Sequence, residues 1–221
     1  MSWESTLTYY QIVNEVVRKQ LGGLHSAKVL IYSVDFYEIE QCQAKGDWDS
    51  SAEILAKAAA NLEKAGADFI VICTNTMHKV VPQIQTRISI PIIHIAEATA
   101  EVLTERHLEK VALLGTKYTM TQDFYKDKLL CAGIDVIIPD SVDIELVNRV
   151  IYNELCLGMI SEQSKKEFLR VIDQMADKGA QGVVLGCTEI GLLIQQADTS
   201  LPVFDTALIH ATNAALLAVR S

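Results

Sequence analysis

The sequence predicts an α/β protein made of two pseudo-twofold-related parallel-sheet α/β domains, and three observations carry that prediction. Short apolar strand-like runs alternate with helical runs along the whole chain, the pattern of a parallel sheet flanked by helices. The stretch Asp177–Glu189 repeats Lys64–Thr76, with a helix-closing glycine (Gly179, Gly66), an apolar strand and then small polar groups. Its offset, 187 − 74 = 113, pairs Thr74 with Cys187, Asn75 with Thr188 and Thr76 with Glu189. As a third observation, a second match sets Ile90–Ala96 beside Leu201–Ala207, with His94 opposite Asp205 at an offset of 205 − 94 = 111. Two concordant offsets near half the chain length imply duplicated halves with a site between them. The expected halves are 1–96 plus 206–221, and 97–205.

The elements follow in order. Leu7–Leu21 is amphipathic and stops at Gly22 and Gly23, so it reads as a helix. Ala27–Asp35 is β-branched and apolar and reads as a strand with Asp35 at its carboxyl end. Tyr37–Gln43 reads as a loop or short helix, and Asp49–Ala65 as a long alanine-rich helix. The strand into Cys73–Thr76, a helix from Met77 to Ile88, the strand Ile90–Ile95 and the helix Glu97–Arg106 complete the first half. The second half opens with the strand Lys110–Gly115 and a helix to Ala132. The strand Ile134–Ile138 and helices Ile144–Leu157 and Ser161–Lys178 follow. After the strand ending at Gly186 come Ile190–Gln195, the strand Pro202–Phe204 and a terminal helix, Ala207–Val219.

Comparing the halves exposes a gap. The second begins with a strand, a glycine and a hydroxyl cluster, whereas the first begins at the hydroxyl cluster with no strand before Met1. The first half is therefore expected to lack its first strand, which would leave ladder groups unpaired.

Bulk properties narrow the function. Half of the 221 residues are hydrophobic, enough for a full core, and the net charge of −9 argues against nucleic acid and anionic membranes. No apolar run is long enough to span a bilayer, and no signal-peptide pattern opens the chain. Five scattered cysteines without C-x-x-C pairs fit a reducing, cytoplasmic setting and neither a disulfide framework nor a zinc site. No G-x-G-x-x-G follows a strand, which argues against a nicotinamide enzyme. No metal and no cofactor are expected.

Cys187 is the central candidate, because it stands where a buried strand must end and a helix-compatible run begins. Ligands bind at such edges, and a helix dipole there favours a thiolate. The competing reading is a buried cysteine that only packs. Asn75, Thr76, Thr116, Thr119 and Thr188 are hydroxyl and amide donors suited to an anion, although each type is also a preferred helix cap. Asp35 could orient a substrate ammonium or merely cap. Glu189 and His94 could tune catalytic neighbours, and His94 is equally a satisfied structural histidine. His78 reads as a surface residue or as backing for the site, and His25 and His107 as surface residues.

Together Met1–Thr6, Thr74–Thr76 and Gly186–Glu189 resemble the aspartate/glutamate racemase family, in particular its L-aspartate/glutamate-specific branch, and the likeness runs over the whole chain. The resemblance implies a cofactor-independent proton transfer at the α-carbon of an acidic amino acid, between two catalytic residues, one from each half. Members carry a Gly-Gly-Met-Ser-Trp-type turn after their first strand, which places Met1 at the substrate and supports the missing strand. Both catalytic residues are typically cysteines, but here Thr74 occupies the first position and Cys73 lies one residue earlier. A one-residue slip turns a strand side chain to the other face, so Cys73 is expected in the core and Thr74 at the substrate. Cys187 is then implied as the thiolate base for the L-enantiomer, with Thr74 serving the other face, directly or through water. Gln43 matches a side-chain contact position of that branch, with a solvent-exposed glutamine as the alternative.

The expected substrate is a small acidic amino acid, and a homodimer is the candidate assembly. Two rival functions stay open. One is an isomerase or decarboxylase of small dicarboxylates on the same scaffold, and the other is a catalytically weak amino-acid-binding protein.

Overall fold

The computed structural model describes residues 1–220 and divides the chain into two compact units. Met1–His94 and the stretch from Ala211 form the first, and Ile95–His210 the second.

The first unit opens with helix α1 (Trp3–Leu21), whose N-cap Ser2 accepts a hydrogen bond from the Ser5 N–H. Helix α2 (Phe36–Lys45) is capped by Asp35 and helix α3 (Trp48–Lys64) by Asp47. Strand β1 (Ile70–Val71), a 3-10 turn at Thr76–Val80, helix α4 (Val81–Gln85) and strand β2 (Ile92–Ile93) follow. The strands pair in parallel, Ile70 with Ile92 and Val71 with Ile93. Ala52, Leu55, Ala56 and Ala59 lie at helical spacing on one face of α3, and they pack with Ile70, Ile72, Met77, Val80 and Ile84. The helix expected from Met77 to Ile88 is broken, because Pro82 in the first turn of α4 lacks an N–H and its ring obstructs the preceding turn.

The second unit contains α5 (Ile95–Glu105), β3 (Lys110–Gly115), α6 (Lys117–Thr121), α7 (Asp123–Cys131), β4 (Asp135–Ile137), α8 (Ser141–Asn153) and α9 (Glu162–Asp177). It continues with β5 (Val183–Gly186), β6 (Val203–Asp205) and α10 (Thr206–Arg220), whose later turns belong to the first unit. Its four parallel strands run in the order β4-β3-β5-β6. Alternating side chains feed two cores, as strand geometry requires. Ala112, Leu114, Val183 and Leu185 pack with Val147, Val150, Phe168 and Val171 of α8 and α9. Val111, Leu113, Val184 and Phe204 pack with Ile95, Leu103, Tyr125 and Leu129.

The expected strand Ala27–Asp35 does not form: the segment is extended but pairs with nothing. Val29, Leu30, Ile31 and Tyr32 are 43%, 50%, 52% and 46% exposed. A strand needs a ladder partner, and in the second unit the equivalent strand, β4, pairs only with β3. The first unit has no counterpart of β3, and no other described segment takes its place.

At their carboxyl ends β3 and β5 approach through a glycine pair, Gly115 opposite Gly186. A Cβ on Gly115 would stand 2.6 Å from the Gly186 carbonyl oxygen, and one on Gly186 would stand 2.8 Å from Leu113 Cδ1 and 3.1 Å from Leu114 O. Relieving that overlap means moving backbone, so Gly115→Ala should cost about 2 kcal/mol or more and lower the melting temperature by several degrees. A thermal melt unchanged from the parent protein would contradict the close approach.

Candidate functional site

In the second unit the functional groups gather just past β5. Strand pairing holds β5 on both sides as far as Leu185 and pairs Gly186 with Gly115, so the next side chain, Cys187, leaves the sheet at its carboxyl edge and is buried. Its thiol donates to Glu189 Oε2 at 3.1 Å, and the Thr188 hydroxyl donates to the same oxygen at 2.7 Å. Glu189 is itself buried, so one carboxylate holds the thiol and the hydroxyl together away from bulk water.

The helix dipole expected to favour a Cys187 thiolate is weak here. Only a three-residue 3-10 turn, Ile190–Leu192, follows. Burial pushes the Cys187 thiol well above the ordinary cysteine range, and the Glu189 and Cys156 charges push it further. Burial and the neighbouring charges therefore favour the neutral thiol of Cys187, which donates to Glu189, over the thiolate.

Thr116 and Thr119 stand above the glycine pair. Thr116 caps α6 by accepting from the Thr119 N–H at 3.3 Å, and the two hydroxyls lie 3.1 Å apart. Both are buried, so the capping alternative holds for Thr116.

In the first unit the corresponding edge follows β1. The Cys73 carbonyl accepts from the Met1 ammonium at 2.9 Å and from the Ser5 hydroxyl at 2.8 Å. Thr74 is half-buried, and its carbonyl lies 2.8 Å from Nδ1 of His78. Asn75 and Thr76 are buried as the chain enters the 3-10 turn. His78 is fully enclosed, contrary to a surface reading, and its ring meets His94 edge-on with centroids 4.7 Å apart. His94 is buried too, while His25 and His107 are exposed. Gln43 is buried on α2, and its amide donates to the Met77 sulfur at 2.9 Å, so it is not the solvent-exposed glutamine of the alternative reading. Asp35 is exposed and caps α2 through the Tyr37 N–H at 3.0 Å, the bland role of the two weighed for it.

The sequence reading missed Ser5, which is buried one helical turn after the Ser2 cap. The Ser-x-x-Ser spacing of Ser2 and Ser5 was the available signal. Among the described residues, no group of three or more His, Cys, Asp or Glu is placed to hold a metal, and no helix is long and apolar enough to cross a membrane.

Burial raises the Cys73 thiol to about 11, with the nearby N-terminal charge opposing. A thiol whose folded value lies above its unfolded one stabilises the fold fully below the unfolded value, and that contribution fades as pH rises towards the folded value. Denaturant unfolding should therefore show stability declining between the ordinary thiol value of 9.0 and about 11. Cys73→Ala should flatten that decline, and an identical pH slope in the variant would exclude Cys73 as its source.

The sequence profile of the family described as Asp/Glu/Hydantoin racemase matches residues 1–214. The broad specificity amino-acid racemase RacX of Bacillus subtilis is 26% identical over 181 residues, covering 79% of this chain and 76% of RacX. A crystal structure of a candidate Asp/Glu racemase from Yersinia pestis is 55% identical and superposes with a TM-score of 0.92 over 99% of this chain and 96% of that one. An aspartate racemase homologue from Pyrococcus horikoshii is 39% identical, with a TM-score of 0.84 over 98% and 94%. With a profile match over nearly its whole length, the chain belongs to the Asp/Glu/hydantoin racemase family.

Proposed function

We propose that this chain is a cofactor-independent amino-acid racemase acting on aspartate and glutamate, with Cys187 as the proton-transferring thiol and Thr74 serving the opposite face of the α-carbon. The observation that carries this reading is the buried Cys187–Glu189–Thr188 cluster at the end of β5 in a chain of this family. RacX, a relative with broad amino-acid specificity, supports the reaction class and leaves room for a wider range of side chains.

The chemistry asks for three things. A base must take a very weakly acidic α-proton, charge developing on the substrate carboxylate must be stabilised, and a proton must be delivered to the other face. Cys187 supplies the base once it loses its own proton, and Glu189, already accepting its hydrogen bond, is the nearest group to receive it. An amino-acid substrate carries an ammonium into the site, and a positive charge near a buried thiol favours the thiolate. Thr116, Thr119 and Thr188 in the second unit, with Met1, Asn75 and Thr76 in the first, offer donors for the substrate carboxylates. Gln43, buried with its amide against the Met77 sulfur, is the candidate for a side-chain contact. His78 meets the Thr74 carbonyl through its ring nitrogen, and His94 packs edge-on against the His78 ring.

Threonine is a much weaker base than a thiolate, so the two directions are unequal and the L-enantiomers are the favoured substrates. A cytosolic setting belongs to the same reading, supported by five cysteines of which none forms a disulfide among the described residues.

Incubation with L-aspartate, L-glutamate and their D-forms in deuterated water, followed by proton NMR, tests the proposal. Deuterium should enter the α-position of the L-forms without added cofactor, and Cys187→Ser should lower that rate by about a thousandfold or more. Because the free thiol titrates above its ordinary range, the rate should climb about tenfold per pH unit on the acidic side. Exchange that persists in Cys187→Ser would overturn the role of the thiol. No exchange in the parent protein, alongside binding of the same amino acids by calorimetry, would leave the binding protein as the function.

A further inference from the structure

We infer that Asp205 and Thr206 are positioning residues for the Cys187 thiol, clamping both ends of the segment that carries it. The bearing of that clamp on catalysis rests on the reading of Cys187 as the reacting group. Asp205 ends β6 and pairs with Leu185 of β5, so Asp205 and Thr206 lie at the same carboxyl edge as Cys187.

At the near end of the segment, the fully buried Thr206 hydroxyl donates to the Leu185 carbonyl at 2.7 Å. At the far end, the Asp205 carboxylate lies against Gly191, in the 3-10 turn Ile190–Leu192. A Cβ on Gly191 would overlap Asp205 Oδ2 and stand 3.2 Å from its Cγ. The Gly191 backbone lies outside the left-handed region, so the close approach, and not the turn itself, requires glycine.

The carboxylate is itself held. Its Oδ1 accepts from the Ala207 N–H at 2.9 Å and the Leu208 N–H at 3.1 Å, which caps α10 and fixes the plane of the group. Burial pushes the Asp205 carboxyl above its ordinary range, while these two N–H groups pull it down.

The turn passes the constraint on through its own hydrogen bonds. The Ile190 N–H donates to the Cys187 carbonyl and the Leu192 N–H to the Glu189 carbonyl, both at 3.1 Å. A displacement of Gly191 is therefore felt by the two residues whose side chains meet as thiol and carboxylate. Such a contact is sensitive to small shifts, because a hydrogen bond weakens steeply as its distance and angle change.

The test compares the parent with Gly191→Ala, Asp205→Ser and the double variant. The readout is the pH dependence of Cys187 alkylation by iodoacetamide, with mass spectrometry identifying the modified residue. Gly191→Ala should drive the turn off Asp205 and loosen Glu189 from the thiol. Alkylation near pH 8 should then rise about threefold or more, and the profile should move to lower pH. In the double variant serine still caps α10 but is shorter, and the alanine methyl takes the vacated space. Its profile should return to within about twofold of the parent's. Thr206→Val should move the profile as Gly191→Ala does, and Thr206→Ser, which keeps the hydroxyl, should not.

A faster reaction in Gly191→Ala with an unmoved pH profile would mean greater exposure alone and would overturn the proposal. A double variant as perturbed as Gly191→Ala would overturn it too. If Gly191→Ala does not fold, the Thr206 variants decide, and a Thr206→Val profile that coincides with the parent's sinks the clamp. Alkylation needs no substrate, so an absence of α-deuterium exchange in the parent would end the racemase reading without touching this result.

Discussion

The carboxyl edge of the second sheet depends on how closely β3 and β5 approach at Gly115 and Gly186. Two side chains there would force the strands apart, and with them the residues that follow each strand. Thr116 and Thr119 rise from the end of β3, and Cys187, Thr188 and Glu189 from the end of β5. With the glycine pair in place, the Thr119 methyl lies against Gly186, where a Cβ would meet it at 3.1 Å. Backbone packing thereby sets where the polar groups at both strand ends start, and their own side-chain hydrogen bonds then tie them together.

Within that edge, burial and charge act on Cys187 in the same direction. Desolvation disfavours the thiolate, and the Glu189 carboxylate, itself buried, disfavours it further while accepting the thiol hydrogen bond. A protein that only needed to pack a cysteine would have no use for a buried carboxylate beside it, since a buried charge costs several kcal/mol unless it is well satisfied. Here the carboxylate accepts from two donors on adjacent residues, the Cys187 thiol and the Thr188 hydroxyl. The family to which the chain belongs gives that arrangement a reaction to serve.

Much of this was legible in the chain, and the parts that were not have a common cause. The strands Lys110–Gly115 and Val183–Gly186 announce themselves as uninterrupted aliphatic runs, because a strand buried on both faces needs no polar partner pattern. The caps at Ser2, Thr116 and Asp35 follow from short-range spacing alone. Ala27–Asp35 has equally strong strand chemistry and still fails to pair, since strand formation depends on a neighbour that local sequence does not contain. Of the two alternatives for His78, the surface one fails for a related reason. The segment after Thr76 is a 3-10 turn and not a regular helix, so the face that a 3.6-residue period assigns to solvent is turned inward. The upward push on the Cys187 thiol also lay beyond the sequence, because it comes from burial and neighbouring charges, and only a three-residue turn follows to oppose it.

The measurement that bears most directly on the site is the alkylation rate of Cys187 by iodoacetamide as a function of pH, in the parent protein and in Glu189→Gln, with mass spectrometry identifying the modified residue. If the Glu189 charge holds the thiol protonated, the variant should be modified severalfold faster near pH 8, and its pH profile should move towards lower pH. Profiles that coincide, or a variant that reacts more slowly at every pH, would contradict control of the Cys187 thiol by Glu189.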